Sequence, residues 1–325
     1  MNRLNISVSP HFHAKATTQS IMLDVIIALL PTTIAGVWIY GYRSLAVIAT
    51  GVGFAMISEM IFNAVAKKPR TVGDMSAVVT GLLLAISVHS NMPLWQVAVG
   101  AIFAIVIVKG VFGGIGQNFA NPAITGRLLM AVSFGTMAKA AFPVADTVSK
   151  ATPLAVLENS KMIVEGGSYI LKNWKGEITG QTDLLSLFLG TRGGAIGESC
   201  TVALIIGGIY LIARKVITWH TPVSFILTVF VLSLIYTKDF NLALAYTMAG
   251  GVFIGAIFMA TDYATTPYRP LGKVIFGVCC GVITVIIRFW GNLPEGVSFS
   301  ILFMNLLTPY IDKWTSKKPF GGEKI

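Results

Sequence analysis

The sequence predicts an all-helical polytopic membrane protein of about ten spans, and three observations predict it. Hydrophobic residues make up 54% of the 325 positions and charged residues only 12%, where soluble domains carry about a quarter. Apolar runs of bilayer-crossing length, about 17–25 residues, recur along the whole chain. Lysine and arginine gather at alternate junctions between those runs. The mean hydropathy of +0.76 agrees.

In order, residues 1–20 are polar and lack the apolar core of a cleavable signal peptide. They read as a cytoplasmic segment. Spans are expected over 21–40, 44–66, 75–90, 94–112 and 123–142. The basic loop Lys67-Lys68-Pro69-Arg70 follows the second span, and a glycine-rich turn over 113–118 follows the fourth. The third span is short and polar at its entry, so a tilted or re-entrant course is expected. Residues 143–198 form a long polar region that could hold amphipathic helix but no span. Five more spans are expected over 199–213, 221–236, 242–260, 271–288 and 297–311, followed by a tail over 312–325. The chain thus reads as a single membrane domain, 1–325, rather than two soluble ones.

Charge gives the orientation. With the N-terminus inside, the inner loops hold Lys67, Lys68, Arg70, Arg214, Lys215, Arg269 and Lys273, and both tails are basic. The short outer loops hold only Arg43, Lys238 and Arg288. Basic residues in short loops stay in the cytoplasm, so both termini are expected there and 143–198 outside. This bias accounts for the formal charge of +10 without nucleic acid as a partner.

An internal echo is visible. Val111-Phe112-Gly113-Gly114-Ile115, running on to Asn121, Thr125 and Arg127, is similar to Val252-Phe253-Ile254-Gly255-Ala256, running on to Asp262, Thr266 and Tyr268. Two halves of five spans would suit a duplication of the kind seen in transporters. The echo pairs Asn121 with Asp262.

Polar groups at membrane depth are costly and mark function or pairing. Asn118 and Asn121 stand one helical turn apart, and their amides can both donate and accept, which suits the edge of a heterocycle. The plainer reading of Asn121 and Asp262 is helix capping. Glu59, deep in the second span, reads as a buried hydrogen-bonded group or part of an ion path. Asp24 and Asp74 sit near inner boundaries. His11, His13, His89 and His220 are scattered, without metal-ligand spacing. Cys200, Cys279 and Cys280 are too few for a four-thiolate cluster. No phosphate loop, dinucleotide fingerprint, hydrolase elbow or zinc pattern occurs.

One polar stretch stands apart: Asp146-Thr147-Val148-Ser149-Lys150-Ala151-Thr152-Pro153-Leu154. Taken locally it is a turn before a helix, since Ser and Thr cap helices and Pro opens them. However, Ser-x-Ala-Thr-Pro-Leu after a fifth span resembles the flavinylation motif of a family of membrane flavoproteins. The family comprises RnfD of the Rnf electron-transport complex and the homologous NqrB of sodium-pumping NADH:quinone oxidoreductase. Residues 73–85, 113–127 and 259–262 resemble further motifs of that family, in order along nearly the whole chain. The family usually has Gly where this chain has Lys150; the Thr is in place.

The resemblance implies FMN joined through its phosphate to the Thr152 hydroxyl, with Ser149 and Ala151 as flanking motif residues, by a separate flavin transferase. Thr147 and Ser149 are neighbouring hydroxyls that could take its place. A second flavin, a non-covalent riboflavin, is implied at Asn118, Asn121 and Asp262. The short segment before the first span is similar to RnfD rather than NqrB. The expected function is therefore a flavin-bearing electron relay across a bacterial inner membrane. It belongs to a ferredoxin:NAD oxidoreductase that moves Na⁺ or H⁺. The flavin-bearing RnfG and the NAD-binding RnfC are the implied partners. The alternatives are the quinone-reductase protein and, from another class, a flavin-free permease.

Overall fold

A computed structural model describes residues 17–69, 71–134, 160–165, 168–173, 178–182, 184–190, 193–291 and 296–316. Each of the ten apolar segments contains helix among the described residues. They are α1 Thr18–Tyr40, α2 Tyr42–Val65, α3 Ser76–Ile86, α4 Leu94–Val111 and α5 Pro122–Ser133 in the first half. After the short α6 Leu184–Leu189 come α7 Thr201–Ala213, α8 His220–Thr237, α9 Phe240–Met248 with α10 Val252–Met259, α11 Pro270–Trp290 and α12 Val297–Thr315. Among the described residues, five helices (α1, α2, α4, α8 and α11) are long and apolar enough to cross a membrane, and six if α9 and α10 count as one. This is a multi-pass membrane protein.

Two segments expected to be continuous spans are broken. The eighth bends by 63° between α9 and α10, at Ala249-Gly250-Gly251, where small residues and a positive φ at Gly250 let the chain turn. The third ends after 11 residues at Ile86. Its released backbone is taken up by the chain ahead of α7: Gly197 N–H donates to the Ile86 carbonyl at 2.6 Å and Ile196 N–H to that of Val88 at 3.0 Å. Non-helical backbone at this depth is tolerated because protein buries and pairs it.

The helices meet through small residues, since lipid offers no hydrophobic drive and close backbone approach does the work. A Cβ on Gly51 of α2 would lie 2.9 Å from the Gly81 carbonyl of α3, and one on Gly81 would lie 2.6 Å from that of Gly51. Gly281 of α11 lies as closely against Thr228 of α8. The core runs through both halves, from Leu29, Leu84 and Ile124 to Phe225, Phe276 and Ile301.

Three corrections to the sequence reading follow. The polar region 143–198 contains, beside the helix Leu184–Leu189, a three-stranded antiparallel sheet that was not expected, β1 Ser160–Glu165, β2 Ser168–Asn173 and β3 Ile178–Thr182, in the order β1-β2-β3. The signal was present: two β-rich runs flank Gly166-Gly167. The fold is therefore all-helical only in its apolar part. Secondly, Arg288 is not in an outer loop. It is 5% exposed and donates to the carbonyls of Tyr246 at 2.6 Å and Ala249 at 3.0 Å. It thereby satisfies the carbonyl end that the break in the eighth segment leaves open.

The third concerns the repeat. The lower half of α4, Ala104–Val111, is a π-helix, and so is the lower part of α10, Gly255–Met259. Each runs into a turn of equal length, residues 112–121 and 260–269, and each turn ends on a proline that opens a helix, Pro122 and Pro270. Proline suits that position because its missing N–H has no partner there anyway. The structural counterpart of Asn121 is thus Arg269, not Asp262. The sequence echo aligned apolar Gly-rich runs in a different register.

Candidate functional site

The two turns meet at one end of the bundle. Asn121 caps α5, its Oδ1 accepting from the N–H groups of Ala123 at 3.0 Å and Ile124 at 3.3 Å. Its Nδ2 donates across to the carbonyl of Met259 at 3.1 Å. Asn305 of α12 joins the crossing: with its amide turned to satisfy its neighbours, it accepts from Asn121 N–H at 3.1 Å and donates to the Thr265 carbonyl at 3.2 Å. Thr308 donates to that same carbonyl at 2.8 Å. Asn121 is therefore a buried clasp between the halves, and most of its hydrogen-bonding capacity goes to backbone.

Beside the clasp lies a cavity of about 290 Å³, walled by α1, α3, α7 and the two turns. Val25, Val79, Leu83, Leu211 and Phe258 make its apolar walls, and Asn118, Asn121, Asp262, Thr80 and Lys109 supply polar groups. The structure thus brings Asn118, Asn121 and Asp262 together, although the first two are not on one helical face. Asn118 spends one amide N–H on the Ala120 carbonyl at 3.3 Å, which leaves its amide oxygen without a protein partner among the described residues. Asp262 anchors the second turn, accepting from Thr265 Oγ1 at 3.2 Å. Loss of water around it raises its carboxyl pKa above the usual value, and bonds from its own turn oppose the rise.

Sequence reasoning missed a charged cluster next to this cavity. Lys109, in the π-helix, is 5% exposed and donates to Glu59 Oε1 and to Ser76 Oγ, each at 2.5 Å. Thr71 also donates to Glu59 Oε1, at 3.0 Å, and Asn63 donates to Thr71 at 2.8 Å. Ser76 in turn donates its hydroxyl proton to Asp74 Oδ1. Glu59 Oε2 is buried without a hydrogen-bond partner among the described residues. Behind the cluster is a second cavity of about 210 Å³, lined by Glu59, Asn63, Thr71, Asp74 and Lys109 among others. The signal was a lone lysine inside an apolar run, rare at membrane depth unless paired.

Further ionic contacts tie the halves together. Arg127 of α5 pairs with Glu198 at 3.1 Å and donates to Ser298 of α12 at 3.0 Å. Asp24 of α1 accepts from Tyr210 at 2.9 Å and Arg214 at 3.3 Å, so it is paired at its inner boundary. Thr152, Ser149 and Ala151 lie outside the described residues.

Comparison with known proteins bears on this geometry. A model of the NQR2, RnfD, RnfE family matches residues 5–321. The D component of a Na⁺-translocating ferredoxin:NAD⁺ oxidoreductase complex from Acetobacterium woodii is 43% identical, the match covering 100% of this chain and 98% of that protein. The D component of a proton-translocating ferredoxin:NAD⁺ oxidoreductase complex from Clostridium ljungdahlii is 40% identical, over 99% and 98%. The D component of an ion-translocating oxidoreductase complex from Marinobacter nauticus is 33% identical, over 97% and 95%.

Proposed function

Because this chain belongs to the NQR2, RnfD, RnfE family, we propose that it relays electrons within its membrane complex through two flavins. It is a subunit of an ion-translocating oxidoreductase complex of the Rnf type, and its similarity is to the RnfD members. The finer reading has these parts. FMN is carried covalently on Thr152, on the outer side, by a phosphoester that a flavin transferase forms. A non-covalent riboflavin occupies the cavity at the two turns. The coupled ion is Na⁺ or H⁺; two of the relatives named above carry one of each in their names. RnfG and RnfC are the electron-carrying and NAD-binding partners. Both termini are cytoplasmic.

The observation that carries the reading is the cavity. Its apolar walls suit an aromatic ring system, and Asn118, Asp262 and Thr80 offer donors and acceptors to a polar ring edge. A flavin bound there would supply one- or two-electron chemistry that the protein need only position and tune. Val79, Leu83 and Phe258 would exclude water, and the Asn118 amide oxygen would accept from a ring N–H. A flavin-free permease would also use broken helices and a cavity between halves.

The decisive experiment compares the purified complex with its Thr152→Ala variant by intact mass and in-gel flavin fluorescence. The expected result is an FMN adduct on this chain, absent from the variant, with assembly retained. If Thr152 only capped a helix, the variant would lose about 1 kcal/mol of stability and keep its flavin. An FMN-modified peptide surviving in the variant would move the tether to Thr147 or Ser149. No adduct in either protein would favour the permease.

A further inference from the structure

We infer that Lys109 is the cationic group that binds the electron-rich edge of the riboflavin in the cavity and tunes it, an inference that rests on the proposed flavin reading. Four observations converge. Lys109 lines the cavity that also holds Asn118 and Asp262. Two of its three ammonium N–H bonds go to Glu59 and Ser76, and the third has no partner among the described residues. The pair it forms is poorly suited to stability. Glu59 Oε2 has no hydrogen-bond partner among the described residues, and buried ion pairs left partly satisfied are no better than apolar replacements.

The fourth observation is internal to the molecule. The same π-helix, turn and proline recur in the second half, where the counterpart of Lys109 is Ile257, packed against Gly208. That copy forms its π-helix with an apolar side chain at the matching position, so the backbone plan does not require the lysine. What distinguishes the first copy is that its side chain faces a polar-rimmed cavity. A flavin ring presents two carbonyls on its pyrimidine edge and becomes more electron-rich when reduced. Positive charge at that edge favours binding and favours the reduced form over the oxidised one. Glu59 then acts through Lys109, holding the ammonium in place and partly offsetting its charge.

The test separates this role from a structural ion pair. Lys109→Met alone would strand Glu59, so the informative proteins are Glu59→Gln, which keeps the lysine, and Glu59→Gln/Lys109→Met, which removes both charges. Each is prepared in the full complex, depleted of non-covalent flavin, and titrated with riboflavin by quenching of its fluorescence. The bound flavin is then reduced stepwise with dithionite. Expected results are binding in Glu59→Gln at least as tight as in the parent, with a higher flavin potential. The double variant should bind about tenfold or more weakly, the size of a lost hydrogen bond to a charged group, with a lower potential. A double variant that bound riboflavin like the parent at an unchanged potential would overturn the role of Lys109 and leave the cavity assignment standing. No riboflavin binding by the parent complex would overturn the cavity assignment and this inference with it.

Discussion

The π-helix Ala104–Val111 leads into a turn flanked by Lys109 on one side and by the capping amide of Asn121 on the other, and the helix beyond carries buried Arg127. The π-helix Gly255–Met259 leads into a turn of equal length flanked by Ile257 and Arg269, with no side-chain cap. Its following helix carries Arg288, spent on the carbonyls of a broken helix. One backbone device is thus used twice with different chemistry. In the first copy polar side chains face each other and a cavity. In the second, Arg288 repairs backbone and, of its charged groups, Asp262 alone lines the cavity. The repeat fixes where helices end; the side chains decide which end becomes a site. π-Helical segments of this kind are frequent at functional positions, and here only the first carries an ionisable side chain within the π-helix itself, Lys109.

The largest expected effect tests whether the first copy's charges are structurally committed. Arg127→Met removes one side of a buried ion pair with Glu198 and the bond to Ser298, and should cost about 3–5 kcal/mol, seen as a large fall in the thermal midpoint of the purified complex. Adding Glu198→Gln should recover most of it. A single variant as stable as the parent would mean that the pair is not closed in the membrane, and the contrast with Arg288 would weaken.

Much of this architecture was legible in sequence, and the reasons it stopped are physical. Length and apolarity are one-dimensional signals, so the ends of α1, α2, α4, α8 and α11 fall within a few residues of expectation. The breaks after Ile86 and at Ala249-Gly250-Gly251 were hidden because the residues around them remain apolar; only tertiary partners such as Ile196, Gly197 and Arg288 make a break tolerable. Those partners lie far away in sequence. Arg288 and Glu198, at the ends of apolar runs, look like loop charges until packing shows them buried. Asn118, Asn121 and Asp262 were placed near one another by resemblance and by an echo whose register was wrong. They still line one cavity, because both turns sit at the same end of the bundle.

An intermediate effect tests the clasp. Asn121→Ala removes the cap of α5, about 1 kcal/mol, and the bond to Met259, about 1 kcal/mol more. The expected loss is therefore about 2 kcal/mol in thermal unfolding, together with a partial loss of riboflavin. Asn118→Ala makes the opposite split: little change in stability, but a clear loss of riboflavin, since its amide oxygen holds no protein partner among the described residues. Equal losses of stability in the two variants would show that the amides are not divided between scaffold and site.

The smallest effect belongs to the second turn, and its sign can be worked out. The carboxyl of Asp262 is raised above its ordinary value by desolvation, so the folded protein holds its proton more tightly than the unfolded chain does. Between the ordinary aspartate value, about 3.9, and the raised value, the folded state binds more protons. Stability therefore falls as pH rises through that window and stays at its lower level above it. The opposite sign would hold for a carboxylate paired with a cation. Asp262→Asn removes the titration while keeping an acceptor for Thr265. It should flatten the pH dependence of the melting temperature across the window and slightly stabilise the complex above it. The variant should behave like the parent at the acid end. If Asp262→Asn instead lost stability at neutral pH, the carboxylate would be favourably paired in the intact complex. The second copy would then hold a committed charge as the first does, and the contrast between the two turns would fail at this residue.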